Sequence, residues 1–245
     1  MLSTDCFGGS AVKFPIFELE RVQSLYENTV DYNLTESGFH PFTLAELLTQ
    51  QQLAEIHDTV LGYGQTNGSR VIRDRIAALY PRQTSANVLV TNGSSEANFI
   101  ASHTLIEPGD EVVVMVPNYM QIWGILEEMG ARPIAFHLRE ENNWAPDLDE
   151  LRSVVSDRTR MITVCNPNNP TGYTLTAAEM QEIAAIADSV GAWVHADEVY
   201  RGAELDGAER PSFVGLGERV MVNGGLSKAY ALPLSLIHIS EPTRQ

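Results

Sequence analysis

Lys228 is one of only two lysines, with Lys13, among the 16 basic residues of this 245-residue chain. Arginine stays protonated in proteins, whereas a lysine can act as a neutral amine nucleophile when desolvation or a nearby charge lowers its pKa. Two lysines among so many arginines could also be a matter of chance. Lys228 is therefore a candidate nucleophile, and the residues around it must support that role.

Asp197 is a second candidate group, because its carboxylate follows the apolar run from Trp193 to Ala196. A carboxylate at the end of a buried strand is costly unless it has a partner. A protonated pyridine nitrogen would be a suitable partner, and a salt bridge to an arginine is the alternative. We interpret His195, in the same run, as a packed histidine.

Residues 166–172, Asn-Pro-Asn-Asn-Pro-Thr-Gly, form a loop that is rich in turn-forming residues. Asn169 in this loop and Tyr200, just after Asp197, could both hydrogen-bond one phenolic oxygen. A tight turn is the alternative role of the loop, although seven such residues in succession are hard to explain by turning alone.

Gly93, Ser94 and Ser95 lie between an apolar run and a helical pattern. Free backbone N–H groups, two hydroxyls and the helix dipole would form a phosphate cradle there, and an ordinary helix N-cap is the alternative. Tyr119 follows another apolar run and could stack on an aromatic ring, with packing as the alternative. Taken together, these groups could bind an anionic, aromatic cofactor that carries an aldehyde.

The elements that must position these groups alternate along the chain. Apolar runs typical of strands occur at 88–90, 111–116, 133–136, 161–164, 193–195 and 220–222. Helical patterns occur at 17–28, 44–56, 69–79, 96–105, 121–129, 148–155 and 177–189, the last with a capping box from Thr176 to Glu179. Short β-branched strands favour a parallel sheet that is covered on both faces, so we predict an α/β three-layer sandwich. Such sheets bind ligands at the carboxyl ends of their strands.

The composition excludes several classes of function. The formal net charge of −16 argues against binding to nucleic acid, which needs clustered cations, and against an anionic membrane surface. Cys6 and Cys165 are too few for a disulfide framework. The chain has no apolar run of the roughly 20 residues that a membrane span needs, and its N-terminus lacks a secretory signal. We therefore expect a cytoplasmic protein, and we assign no metal site.

Three motifs together carry a family resemblance: Asn-Pro-Asn-Asn-Pro-Thr-Gly from Asn166, Asp-Glu-Val-Tyr from Asp197, and Ser-Lys-Ala-Tyr-Ala-Leu-Pro from Ser227. With them, residues 30–233 resemble the class I/II aminotransferases, which are fold type I enzymes that depend on pyridoxal 5′-phosphate (PLP). The resemblance implies the large domain of that fold, with PLP as cofactor. It also implies a homodimer whose substrates are an amino acid and a 2-oxo acid.

The same resemblance implies a role for each candidate residue. Lys228 is similar to the lysine that links covalently to PLP and later moves the substrate proton, and Asp197 to the partner of the pyridinium nitrogen. Asn169 and Tyr200 are similar to the pair that binds the phenolic oxygen, and Tyr119 to the residue that stacks on the ring. The remaining positions are Gly93, Ser94 and Ser95 for the phosphate, Tyr63 for the phosphate of the neighbouring subunit, and Ser37 and Gly38 for the approach to the substrate carboxylate.

Two positions depart from the family pattern. Gly225 stands where the family often has a serine, and Leu236 stands where it has a phosphate-binding arginine. Residues 234–244 also resemble the translation of a transposase adapter that is used for sequencing libraries. We expect residues 1–45 to contribute to a small domain, residues 46–233 to form an incomplete PLP-binding large domain, and residues 234–245 to be a non-native tail. We expect this polypeptide to be poorly soluble and inactive by itself.

The parent protein is therefore predicted to be a PLP-dependent aminotransferase. A PLP-dependent lyase, decarboxylase or cyclase of the same fold is the alternative, because residues 33–38 resemble the capreomycidine synthase group. A PLP-sensing regulator would need a DNA-binding segment, and the chain opens with neither a helix-turn-helix pattern nor a basic segment. A non-catalytic interaction domain would not need Asn169, Asp197, Tyr200 and Lys228 together.

Overall fold

A computed structural model describes residues 15–27, 29–40, 42–60 and 62–232. The helices are α1 Glu18–Tyr26, α2 Leu44–Leu47, α3 Gln50–His57, α4 Arg70–Ala77, α5 Ser94–Leu105, α6 Gln121–Glu128, α7 Leu148–Val154 and α8 Ala177–Ser189. The strands are β1 Glu111–Val116, β2 Arg132–Arg139, β3 Ala145–Pro146, β4 Thr159–Cys165, β5 Trp193–Asp197 and β6 Val220–Asn223. The adapter-like residues 234–245 lie outside the described residues, as do Cys6 and Lys13.

Five strands form a parallel sheet in the order β2-β1-β4-β5-β6, and the short β3 pairs antiparallel with β2. From β1 the chain first adds β2 on one side and later returns with β4 on the other side. The direction of strand addition therefore reverses between β1 and β4. In open α/β sheets, ligands bind beyond the carboxyl ends of the strands at such a reversal.

Apolar clusters cover both faces of the sheet. On one face, Met115 of β1 packs in a cluster with Leu151 of α7 and Ile183 of α8. On the other face, the neighbouring Val114 packs with Leu126 of α6. Successive strand residues point to opposite faces, so each strand feeds both clusters. The predicted three-layer α/β sandwich with a mostly parallel sheet is thus confirmed.

The predicted elements match the structure to different degrees. The bounds of β1 and α8 agree with the prediction, and Thr176 and Glu179 form the capping box. The helical pattern at 44–56 is two helices, because Thr49 accepts the Gln52 N–H and starts α3 as a new helix. Within the described residues, no helix combines the length and apolar character that crossing a membrane requires.

The predicted strand at 88–90 was wrong. Val88 is buried against Ile76 and Tyr80, in and just after α4. The Val90 N–H donates to the carbonyl oxygen of Asn67 over 3.2 Å. The apolar character of this run thus reflects burial beside α4 and the turn before it, and not a place in the sheet.

A buried chain of polar side chains joins the sheet to α5. His195 Nδ1 lies 3.0 Å from Thr163 Oγ1, and His195 Nε2 lies 2.8 Å from Asn223 Nδ2. The Asn223 amide also donates to Asn98 Oδ1, and the Asn98 amide donates to Gln121 Oε1 over 3.0 Å. His195 is fully buried, as predicted for a packed histidine. This network fixes the start of α5 relative to the ends of β5 and β6.

Candidate cofactor site

The candidate residues lie on loops at one edge of the sheet. Tyr119 follows β1, Asn169 follows β4, Asp197 ends β5 with Tyr200 close behind, and Lys228 follows β6. These loops meet because parallel strands bring their carboxyl ends to the same edge. Residues that are far apart in sequence are thereby brought together.

Asp197 is a buried residue, with a relative exposure of only 8%. Burial raises its pKa to about 6, and the hydrogen bond from the Val199 N–H, at 3.2 Å, offsets only part of that effect. Across the described ranges, Asp197 forms no salt bridge with an arginine or lysine. The salt bridge to an arginine, which the sequence left open as an alternative, is therefore not seen there. A cationic N–H donor would therefore relieve an existing desolvation cost at this carboxylate.

Tyr200 joins two parts of the candidate site through its hydroxyl. The hydroxyl oxygen accepts from Asn169 Nδ2 over 3.2 Å and lies 2.8 Å from Ser37 Oγ. Burial raises the pKa of Tyr200, while the Ser37 hydrogen bond and the Lys228 charge oppose that rise. An amide and a neutral hydroxyl therefore face the same space, as two hydrogen-bond donors for one oxygen require.

Tyr119 packs against the N-terminal helix α1 and the residue before it. Its ring meets the Phe17 ring edge to face, with centroids 4.9 Å apart. Its hydroxyl donates to the Glu20 carboxylate, and burial together with that bond raises the pKa of Tyr119 far above its ordinary value. These contacts are what a packing role for Tyr119 requires. Its stacking on the cofactor ring stays a prediction.

The start of α5 is a helix N-terminus that no side chain of residues 15–27, 29–40, 42–60 or 62–232 caps. Gly93 occupies the N-cap position with a φ of +90°, a conformation that favours glycine. Ser94 and Ser95 form the first turn, so the backbone N–H groups there have no side-chain cap as a competitor. This differs from an ordinary capped helix and fits an anion at the positive end of a twelve-residue helix.

Lys228 forms an ion pair that the sequence did not predict. Its Nζ lies 2.9 Å from Glu36 Oε1, which also accepts the Gly38 N–H over 2.7 Å. Partial burial raises the pKa of Glu36, but the hydrogen bonds from Lys228, Gly38 and Ser37 outweigh it and hold the pKa below its usual value. Glu36 therefore carries its negative charge beside the candidate nucleophile at neutral pH. A separation of 192 residues leaves no local signal for this contact.

Tyr63 is the candidate that the structure does not bring to the others. Its side chain is fully exposed. The nearby residues Gln65 and Gly68 border a cavity of about 450 Å³ that Asn92 and Glu96 also line, at the start of α5. Within this chain, Tyr63 is thus close in sequence to the phosphate-loop region but points into solvent.

Glu198 is a buried carboxylate that sequence reasoning passed over. It is 2% exposed, and its Oε1 accepts the Phe213 N–H over 2.7 Å. Its Oε2 has no hydrogen-bond partner among the described residues. Burial raises the pKa of Glu198 to about 7. Its place directly after Asp197, at the end of a buried strand, was the available signal.

A known protein family matches most of this chain. Residues 30–234 match the family model described as aminotransferase class I and II. The chain belongs to this family.

Membership implies PLP as the cofactor. The residues present fit PLP. Within the described part of the chain, Asp197 is buried without a cationic partner and no side chain caps α5, and the Asn169 amide meets the Tyr200 hydroxyl.

Individual relatives support the same family. Capreomycidine synthase from Streptomyces vinaceus is 36% identical over 210 residues, which cover 82% of this chain and 53% of that protein. An aspartate aminotransferase from Pyrococcus horikoshii is 35% identical and covers 60% of this chain and 38% of that protein. The chain thus spans about half or less of the length of these curated relatives.

Solved structures extend the likeness to the fold. A PLP-dependent aminotransferase from Streptococcus suis 89-1591 superposes with a TM-score of 0.87 at 32% identity, covering 94% of this chain and 63% of that one. An alanine aminotransferase from Pyrococcus furiosus gives a TM-score of 0.78 at 28% identity, covering 94% of this chain and 61% of that one. The described elements therefore correspond to somewhat under two thirds of such enzymes.

Proposed function

We propose that the complete protein is a PLP-dependent aminotransferase that moves an amino group between an amino acid and a 2-oxo acid. The observation that carries this proposal is the convergence of Asp197, Asn169, Tyr200 and Lys228 on one edge of the parallel sheet. Bound PLP supplies an electron sink that makes the substrate Cα–H acidic.

Lys228 and Asp197 take the two roles that move or hold protons. The Lys228 amine would hold the cofactor covalently and, once released as a free amine, would carry the proton to and from the substrate Cα. The Asp197 carboxylate holds the proton on the ring nitrogen, and its burial makes it a strong acceptor for that proton.

The remaining residues bind and orient. Asn169 and Tyr200 donate to the phenolic oxygen of the cofactor, as their shared hydrogen bond supports. The phosphate binds at the start of α5, on the residues Gly93, Ser94 and Ser95. Tyr119 covers one face of the ring and excludes water, held in place by Phe17.

The substrate and the second subunit complete this site in our proposal. Ser37 and Gly38 approach the substrate carboxylate, and the contact of Ser37 with Tyr200 supports that position. The exposed Tyr63 is free to reach the phosphate bound by a second copy of the chain, which makes the active form a homodimer. We further propose a cytoplasmic location.

A lyase, decarboxylase or cyclase that uses the same cofactor is the second candidate. The observation in its favour is the likeness to capreomycidine synthase, which covers 82% of this chain against 60% for the aspartate aminotransferase. Both candidates use the same cofactor residues and differ in whether a 2-oxo acid is consumed.

An assay of the complete protein with PLP separates the two candidates. L-Alanine, L-aspartate, L-glutamate and L-arginine serve as donors, with pyruvate and 2-oxoglutarate as acceptors and Lys228→Ala as the inactive control. A new amino acid that forms only when the oxo acid is present supports transamination. Donor loss without an oxo acid supports the second candidate, and absence of both PLP binding and turnover contradicts both.

A further inference from the structure

Glu36 is an anionic side chain at the point where an amino group must arrive and leave. It lies in the segment before α2, and its Oε1 is 2.9 Å from the Lys228 amine. We propose that the Glu36 carboxylate binds the α-ammonium group of the incoming amino acid while Lys228 is linked to the cofactor. This inference rests on the proposed aminotransferase function and adds a substrate-binding residue to it.

The existing ion pair shows that this carboxylate is placed to bind an alkylammonium ion. The Gly38 N–H, at 2.7 Å from the same oxygen, fixes its position independently of Lys228. Ser37, between these two residues, is held by its contact with the Tyr200 hydroxyl at 2.8 Å. Ser37 thus anchors this segment to the site, and the Gly38 N–H fixes the Glu36 carboxylate within the segment.

The ion pair would change once the Lys228 nitrogen was linked to the cofactor, because that nitrogen would then keep at most one N–H group. Glu36 would keep its charge and lose its ammonium partner, and a partly buried anion without a full partner is unfavourable. An incoming donor would displace Lys228 from the cofactor, so the donor nitrogen would have to approach the position of Nζ. An α-ammonium group at that position would restore the ion pair; it would pass one proton to the linked Lys228 nitrogen before its amine attacked, and Lys228 would leave as a free amine.

The space beside Glu36 is open to a small substrate. A cavity of about 540 Å³ is lined by Ser37, Gly38, Asn169 and Tyr200, and the Glu36 side chain is 45% exposed. A zwitterionic amino acid could enter there and reach the carboxylate from solvent. Access and charge are therefore both suited to an ammonium ligand.

Other charged groups around the site have partners of their own, although Glu204 Oε1 and Arg210 Nε, on two residues that line the cavity, have no hydrogen-bond partner among the described residues. Glu20 accepts from the Tyr119 hydroxyl, and Glu204 accepts the Gly202 N–H over 2.8 Å. Arg201 pairs with Glu209 over 2.7 Å, and Arg210 pairs with Asp206. Among these carboxylates, Glu36 is the one whose partner changes during the reaction.

Amino acids carry an α-ammonium group and 2-oxo acids do not, so Glu36 should matter to one substrate only. We expect Glu36→Gln to raise KM for the amino donor roughly tenfold, the size of a lost charge-assisted hydrogen bond, and to leave KM for the oxo acid nearly unchanged. Glu36→Asp keeps the charge and should recover part of the donor affinity. Glu141→Gln, at an exposed carboxylate elsewhere, is the matched control.

The test uses the complete protein saturated with PLP and the four donors and two acceptors named above. Binding is measured separately by calorimetry with 2-methylalanine and α-methyl-L-aspartate, which lack the Cα proton, against 2-methylpropanoate and 2-methylsuccinate, which lack the amino group. We expect Glu36→Gln to weaken binding of the amino compounds and spare the other two. Equal weakening of all four compounds, unchanged binding, or no binding of the amino compounds to the unaltered protein overturns the inference.

The two proposals fail in different ways. If no donor and acceptor pair gives turnover, the aminotransferase proposal fails, while the calorimetric comparison still decides the role of Glu36. If turnover is present and Glu36→Gln leaves donor KM unchanged, the role of Glu36 fails and the aminotransferase proposal stands.

Discussion

The side-chain amide of Asn169 donates to the hydroxyl oxygen of Tyr200 over 3.2 Å, although 31 residues separate the two in sequence. Asn169 follows β4 and Tyr200 follows β5, and these two strands are neighbours in the sheet. The parallel pairing therefore brings an amide and a hydroxyl to the same point, beside the buried Asp197. This contact is the basis for assigning both residues to one cofactor oxygen.

A double-mutant cycle on this pair tests the shared role. We expect Asn169→Ala and Tyr200→Phe each to weaken PLP binding, because each removes one donor to the oxygen. The two effects should not add, with a coupling of about 1 kcal/mol, as is usual for residues in direct contact. PLP titrations of the complete protein measure this, and fully additive effects would show that the residues act on separate groups.

Asp197→Asn should weaken PLP binding by roughly 100-fold, since breaking a buried ion pair typically costs about 3 kcal/mol or more. The pKa of about 6 in the cofactor-free protein adds a pH dependence. The carboxylate becomes protonated below about pH 6, so the affinity of the unaltered protein should fall there, whereas the variant should respond less. Asp149→Asn, at an exposed carboxylate, is the control. Equal affinity of Asp197→Asn and the unaltered protein at pH 8 would contradict this role.

Glu198 gives a prediction about stability. Its folded pKa of about 7 lies above the ordinary value of 4.5, so its contribution to stability is greatest below about pH 4.5 and is lost as the pH rises through 7. Glu198→Gln keeps an oxygen for the Phe213 N–H and removes the buried charge. We expect it to stabilise the protein by up to about 3 kcal/mol at pH 8 and to have little effect at pH 5. Denaturant unfolding at both pH values measures this, and a loss of stability at pH 8 would refute it.

Substitution of Gly68 tests the packing that precedes residues 93–95, the proposed phosphate loop. Its φ is +92°, and a Cβ there would clash with the Val90 side chain. Gly68→Ala should destabilise the protein by about 2 kcal/mol through strain and the clash. Gly64→Ala is the matched control, because a Cβ at Gly64 meets no atom within 4 Å. Equal unfolding free energies for the two variants would contradict the observed packing.

The fold was largely predictable because its strands are short, apolar and separated by helical patterns. The bounds of β1 and α8 were predicted because turn residues and a capping box mark their ends. The run at 88–90 was misassigned because burial beside α4 produces the same apolar signal as burial in a sheet. Periodicity alone does not separate these cases.

The position of the candidate residues at one edge of the sheet was predictable where a motif or a strand end marks them, as for Asp197, Asn169 and Lys228, and their roles stay predictions. Their geometry depends on contacts that sequence does not show, such as the Ser37 hydroxyl beside Tyr200. Glu36 had no signal of its own, since only the folded chain brings it to Lys228. Tertiary contacts between distant segments are therefore what the structure adds.

The most direct test of the central claim locates the residue that links to PLP. The complete protein is loaded with PLP, reduced with borohydride and digested, and the modified lysine is identified by mass spectrometry. The account predicts a pyridoxyl adduct on Lys228 and its absence in Lys228→Ala. An adduct on Lys13 or on another lysine, with Lys228 unmodified, would contradict the account.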